Sequence, residues 1–163
     1  MVEKILEHFV GGKPMAKHTI SASKLISAPA GKVYDLIADY RNGHPRILPK
    51  PYFVSLDVEK GGYGSGTVIN FQMQLMGRIQ SFHSVITEPE PGRTLVETDG
   101  NTGAATTFNV DPRSNGQEAF VTITTTTTIP EGIPGKIQGW LTARLLRPIY
   151  EKELDQLATV AQE

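Results

Sequence analysis

One long helical pattern closes the chain behind a run of short strands, and this order limits the possible folds more than any other feature. From Pro134 to Ala161, Leu141, Leu145, Leu146, Tyr150, Leu154 and Leu157 recur at spacings of three and four. That spacing predicts a helix with an apolar stripe. From Tyr52 to Ile129 the period is instead two. One helix following one antiparallel sheet must bury its stripe on that sheet. If the sheet curls around the helix, space remains between them, and an apolar molecule can occupy it.

The strands read as a meander. Phe53–Val58 is a strand, and Gly61–Gly66 a glycine-rich turn. Val68–Met76 alternates most clearly, with Ile69, Phe71, Met73 and Leu75 on one face and Asn70, Gln72 and Gln74 on the other. Met76-Gly77 predicts a tight hairpin returning through Arg78–Thr87. A turn at Glu88–Gly92, a strand Thr94–Thr98, a turn at Asp99–Gly103 and a strand Ala105–Val110 follow. Ala119–Ile129 is the last strand and contains five consecutive threonines, whose branched Cβ suits a pleated surface. Short turns make neighbouring strands antiparallel.

Ahead of the meander, Lys17–Ser27 alternates weakly as a first strand, with His18, Ile20, Ala22, Lys24 and Ile26 on one face. Pro29 suits the entry of a helix bearing Val33, Leu36, Ile37 and Tyr40. Prolines 45, 49 and 51 leave room for only one more short helix, around Pro45–Leu48. At the start, Val2, Ile5, Leu6, Phe9 and Val10 predict a short amphipathic helix ended by Gly11-Gly12. Residues 1–14 read as an extension that is either frayed or docked by its apolar face on the body or a partner chain, a homodimer included. Residues 15–163 read as one domain.

Composition removes several functions. The net charge of −1 favours neither nucleic acid nor an anionic membrane as partner. Without cysteine there are no disulfides, no thiolate catalysis and no cysteine zinc site. No run of eighteen apolar residues is present to span a membrane. Glu3, Lys4, Glu7 and His8 interrupt any signal-peptide core, so a cytoplasmic location is expected. The four histidines stand far apart and none is paired at helical metal-site spacing, so no metal is expected. The glycine-rich turn precedes a strand and not a helix, unlike a phosphate loop.

Several segments resemble one superfamily. They are Ser27-Ala28-Pro29-Ala30 entering a helix with Val33, Tyr34 and Ile37, the glycine-rich turn before Thr67, and the Glu88-Pro89-Glu90-Pro91-Gly92 turn. The ending Leu146-Arg147-Pro148-Ile149-Tyr150-Glu151 with Glu153-Leu154 completes the set. Over Lys17 to Ala161 this order resembles the START-like, Bet v 1-like superfamily, and within it the polyketide cyclase/dehydrase and lipid-transport branch. The resemblance implies an α+β helix-grip fold. A curved seven-stranded antiparallel sheet (β-α-α-β6-α) would wrap the C-terminal helix around a cavity for an apolar ligand. The shared motifs mark turns and packing, so they carry over no catalytic residue and no cofactor.

Ile69, Phe71, Met73, Phe82, Phe108 and Val110 are the candidate cavity residues of the sheet, with Trp140, Leu141 and Arg144 from the helix. A two-residue turn pairs Phe71 with Phe82, puts Arg78, Gln80 and Ser84 inside, and turns His83 to water. A one-residue slip would reverse these faces. Arg78 would either hold a carboxylate or enolate oxygen at the mouth or snorkel to solvent. Thr125 and Thr127 would line the cavity, or simply reflect strand propensity. Pro148 should kink the helix near Arg144. Asp35, Asp39 and Asp99 read as solvated carboxylates. Three functions stay open: binding of a lipid, polyketide or aromatic metabolite; cyclase or dehydratase chemistry using Arg78, His83 or a tyrosine; and partner binding with a closed cavity.

Overall fold

The computed structural model describes residues 14–163; the helix predicted over residues 1–10 lies outside them. Strand β1 (Met15–Ile26) comes first, then helices α1 (Ala30–Ala38) and α2 (His44–Ile47). Six strands follow: β2 (Phe53–Lys60), β3 (Val68–Leu75), β4 (Arg78–Glu90), β5 (Thr94–Asp99), β6 (Ala105–Arg113) and β7 (Glu118–Pro130). Helix α3 (Ile133–Val160) ends the chain. All seven strands form one antiparallel sheet in the order β1-β7-β6-β5-β4-β3-β2. The architecture is α+β, a curved sheet gripping a long C-terminal helix.

The β3–β4 hairpin takes the register that pairs the phenylalanines. Leu75 stands opposite Arg78, and Phe71 opposite Phe82. Both turn residues have positive φ, 51° at Met76 and 75° at Gly77, the geometry whose twist suits a two-residue hairpin. The Glu88–Gly92 stretch is less of a turn than its prolines predict. β4 runs on to Glu90, and the register shift between Thr87 and Glu90 absorbs the irregularity.

The core lies between the sheet's concave face and two helical pieces. Ile20, Ile26, Ile86, Leu95, Val121 and Ile123 from the sheet meet Val33 and Ile37 of α1 and Leu154 and Leu157 of α3. A smaller cluster of Leu48, Phe53, Met73 and Ile149 fills the end near α2. Fully burying one such aliphatic side chain contributes about 1.5–3 kcal/mol. Helix α3 changes character along its length. Its second half buries Ile149, Tyr150, Leu154 and Leu157, but its first half buries only Gly135 and Gly139. Pro148 stands inside the helix without ending it. Where α3 lacks large inward side chains, space is left over the sheet.

Candidate ligand cavity

A cavity of about 810 Å³ lies between the first half of α3 and the inner face of β3–β7. Phe71, Met73, Leu75 and Phe82 supply its apolar wall from the sheet, and Leu145 and Leu146 from the helix. Exposure along the lining gives it a direction. Met76 is 88% exposed and Arg78 and Gln80 are also exposed, which marks the mouth. Ser84, Thr125 and Tyr150 are buried and mark the closed end.

The closed end is polar, and its groups are tied to one another. Thr106 and Thr125 share a 2.7 Å hydrogen bond, and Thr125 and Tyr150 a 2.5 Å one. Glu97 reaches the same end from β5. Its Oε1 accepts a 2.6 Å hydrogen bond from the Tyr40 hydroxyl. The His44 ring stacks on Tyr40 with centroids 4.5 Å apart. Its Nδ1 lies 2.7 Å from the Ile37 carbonyl oxygen, which can only accept, so Nδ1 carries the proton. Its Nε2 faces Glu97 Oε1 at 3.6 Å. Burial pushes the Tyr40 phenol well above its ordinary range and the Tyr150 phenol up to about 12. Burial, with the charge of Glu97 beside it, also pushes the Glu153 carboxyl well up.

Five of the eleven candidate cavity residues lie on the wall: Phe71, Met73, Arg78, Gln80 and Phe82, and Ser84, Thr125 and Thr127 lie there with them. Ile69, Phe108 and Val110 point inward but are packed into the core, at 1%, 2% and 1% exposure. Trp140 and Leu141 face outward, 61% and 52% exposed, and the Arg144 guanidinium lies 5.6 Å over the Trp140 ring. Helix geometry explains this placement. Gly139 touches the sheet, and at about 100° per residue Trp140 and Leu141 swing to the far side while Gln138 and Thr142 swing over the cavity. Trp140 therefore reports on the outer helix surface. His83 also faces out, with Nε2 3.0 Å from Glu59 Oε2.

Glu97, Glu153 and His44 were missed by the sequence reading. Alternation carries a trace of the first, since an inward Leu95 brings Glu97 and Asp99 to the same face. Glu153 follows Tyr150 by three positions on the apolar stripe of α3. His44 leaves no periodic trace. Asp99 corrects the expectation of a solvated carboxylate. It is 5% exposed, accepts from the backbone of His83 and Thr102 and from the Thr102 hydroxyl, and is thereby held below the usual carboxylate range. The glycine-rich loop is likewise structural, because the Glu88 carboxyl holds it by accepting from Ser65 N–H at 2.7 Å. Among the described residues, no three His, Asp or Glu side chains are grouped to hold a metal ion. No described helix is long and apolar enough to cross a membrane.

A family model described as polyketide cyclase / dehydrase and lipid transport matches residues 17–162. The chain belongs to this family. Solved structures share the fold of this polyketide cyclase / dehydrase and lipid transport protein at low identity. KanY is 24% identical with a TM-score of 0.76, the alignment covering 93% of this chain and 99% of KanY. The Zhui aromatase/cyclase from Streptomyces sp. R1128 is 16% identical with a TM-score of 0.69, covering 90% and 94%. A START superfamily protein from Mycobacterium smegmatis is 12% identical with a TM-score of 0.68, covering 89% and 97%. No curated protein matches the chain.

Proposed function

We propose that the protein binds a hydrophobic small molecule in the cavity between α3 and the sheet. The observation that carries this reading is the cavity itself: about 810 Å³, walled by Phe71, Met73, Leu75, Phe82, Leu145 and Leu146, with Ser84, Glu97, Thr125 and Tyr150 at its closed end. Small-molecule sites have this composition, mostly apolar with a few placed polar groups. The volume lies within the range of about 300–1,000 Å³ usual for such sites. Membership of the polyketide cyclase / dehydrase and lipid transport family supports the same reading.

Native mass spectrometry of the purified protein, followed by organic extraction, tests it. The expected result is a co-purifying apolar molecule, or uptake of naphthalene when none is retained. Leu146→Trp places a large ring in the cavity from the helix side, so uptake should fall at least tenfold with the fold retained. Unchanged uptake in that variant would place the ligand elsewhere.

A second reading, cyclisation or dehydration of a polyketide-like substrate in the same cavity, draws support from Glu97 and Tyr150. Both stand at the closed end with acid-base groups turned to the cavity. Turnover of a poly-β-ketone thioester, lost in Glu97→Gln, would favour it over simple binding.

A further inference from the structure

The closed end of the cavity differs from its mouth in kind as well as in depth. Among the described residues, Arg78 is the only lysine or arginine on the lining, and it stands at the mouth. At the closed end, acceptors and hydroxyls prevail. Most of these already have partners. Asp99 spends both carboxyl oxygens on His83 and Thr102. Thr106, Thr125 and Tyr150 bond to one another.

Two groups are left over. Glu97 commits Oε1 to Tyr40, while its Oε2 has no hydrogen-bond partner among the described residues. Ser84 is 2% exposed, lines the cavity, and its hydroxyl likewise has no partner there. The sheet register sets these two side by side. Ser84 pairs with Asp99 and Ile86 with Glu97, so Ser84 and Glu97 are diagonal neighbours on the inner face. Such neighbours lie about 7–8 Å apart at the backbone, within reach of one bridging group. One of them only accepts; the other donates or accepts.

A single ligand group satisfies both: a hydroxyl, which donates to Glu97 Oε2 and accepts from Ser84 Oγ. An ether oxygen at the same place would leave the glutamate oxygen facing another acceptor. A carboxylate would face it with like charge, and the cation that would suit a carboxylate, Arg78, is at the other end.

We propose that the cavity selects an apolar molecule that enters with a phenolic or alcoholic hydroxyl leading, and that Glu97 and Ser84 together are the specificity determinant that reads this hydroxyl. The inference rests on the cavity being the ligand site and adds the orientation and the leading group.

Calorimetric titration of the full chain with naphthalene, 2-naphthol and 2-methoxynaphthalene separates the two readings. The three probes share one apolar body and differ in the leading group. In the unaltered protein, 2-naphthol should bind about tenfold more tightly than 2-methoxynaphthalene, the worth of one well-placed buried hydrogen bond. In Glu97→Gln and in Ser84→Ala this ratio should fall to about threefold or less. Circular dichroism and a melting temperature close to that of the unaltered protein, with naphthalene still bound, show that both variants fold and keep the cavity. Equal binding of 2-naphthol and 2-methoxynaphthalene, with naphthalene bound, would overturn the hydroxyl assignment and leave the ligand cavity standing. An undiminished preference in both variants would overturn the role of Glu97 and Ser84. If none of the three binds, the cavity reading fails first and this inference fails with it.

Discussion

The ring of Phe71 lies on the ring of Phe82, centroids 4.9 Å and planes 13° apart, and the pair forms part of the cavity wall. The stacking follows from the Met76-Gly77 turn, which sets Leu75 opposite Arg78 and so brings the two phenylalanines face to face. Both rings are half-buried, so each should contribute less than a fully buried aromatic. Phe82→Ala is expected to lower unfolding stability by about 2 kcal/mol. A double-mutant cycle with Phe71→Ala should return a coupling of about 1 kcal/mol by urea denaturation. A coupling near zero would mean that the rings act only through separate burial.

Glu153 should make stability fall as pH rises. Burial and the charge of Glu97 hold its carboxyl well above the ordinary range in the folded protein. Below that ordinary range both the folded and unfolded states keep the proton, and Glu153 has no effect on the balance. Above it the unfolded chain releases a proton that the folded state retains, so stability declines until the raised folded value is passed. The limiting slope is about 1.4 kcal/mol per pH unit for one proton. Glu153→Gln keeps the shape and removes the titration. Its urea midpoint should match that of the unaltered protein at pH 4 and exceed it at pH 7. The same difference at both pH values would show that Glu153 does not hold its proton in the folded state.

Much of the sheet was legible because one face of each strand is buried. The alternation of Ile69, Phe71, Met73 and Leu75, together with a turn that admits positive φ, leaves one register that keeps the apolar set inside. The long helix was legible from its spacing, but its rotation was not. Trp140 and Leu141 look like core residues in sequence, yet Gly139 is what touches the sheet, and a helix seated on glycine turns its large neighbours outward. The polar end of the cavity was hidden for another reason. Tyr40 follows α1, His44 lies in α2, Glu97 in β5 and Glu153 in α3, and only the folded chain brings them together.

The glycine-rich loop should depend on Glu88. That carboxyl accepts from the Tyr34 hydroxyl on α1 and from Ser65 N–H in the loop, and so ties α1, β4 and the loop together. Gly64, at φ 57°, sits so close that an added Cβ would lie 2.4 Å from Glu88 Oε2. Glu88→Ala leaves two donors without their acceptor and is expected to cost about 1–3 kcal/mol. Amide hydrogen exchange at Ser65 should speed up with it. Unchanged exchange at Ser65 would show that backbone bonds alone hold the loop. Gly64→Ala adds left-handed strain of roughly 1–2 kcal/mol to the steric contact. It should therefore destabilise at least as much as Glu88→Ala.

The seating of α3 should rest on two glycines. A Cβ at Gly135 would fall 1.5 Å from the Pro130 carbonyl oxygen, and one at Gly139 would fall 2.8 Å from His18 Cε1 and 3.1 Å from Ile129 Cδ1. In an ordinary helix, glycine to alanine gains about 1 kcal/mol. Here the sign should reverse, because the helix would have to lift off β1 and β7. Gly135→Ala meets backbone that cannot yield and is expected to destabilise by about 2–3 kcal/mol. Gly139→Ala meets the far part of a histidine ring, which can turn aside, so its cost should be smaller. Lifting the helix also moves Gln138 and Thr142 away from the cavity. Gly135→Ala should therefore weaken naphthalene binding as well as lower the melting temperature. A Gly135→Ala variant that melts higher than the unaltered protein would mean that α3 does not sit against Pro130, and the cavity beneath it would have a different shape.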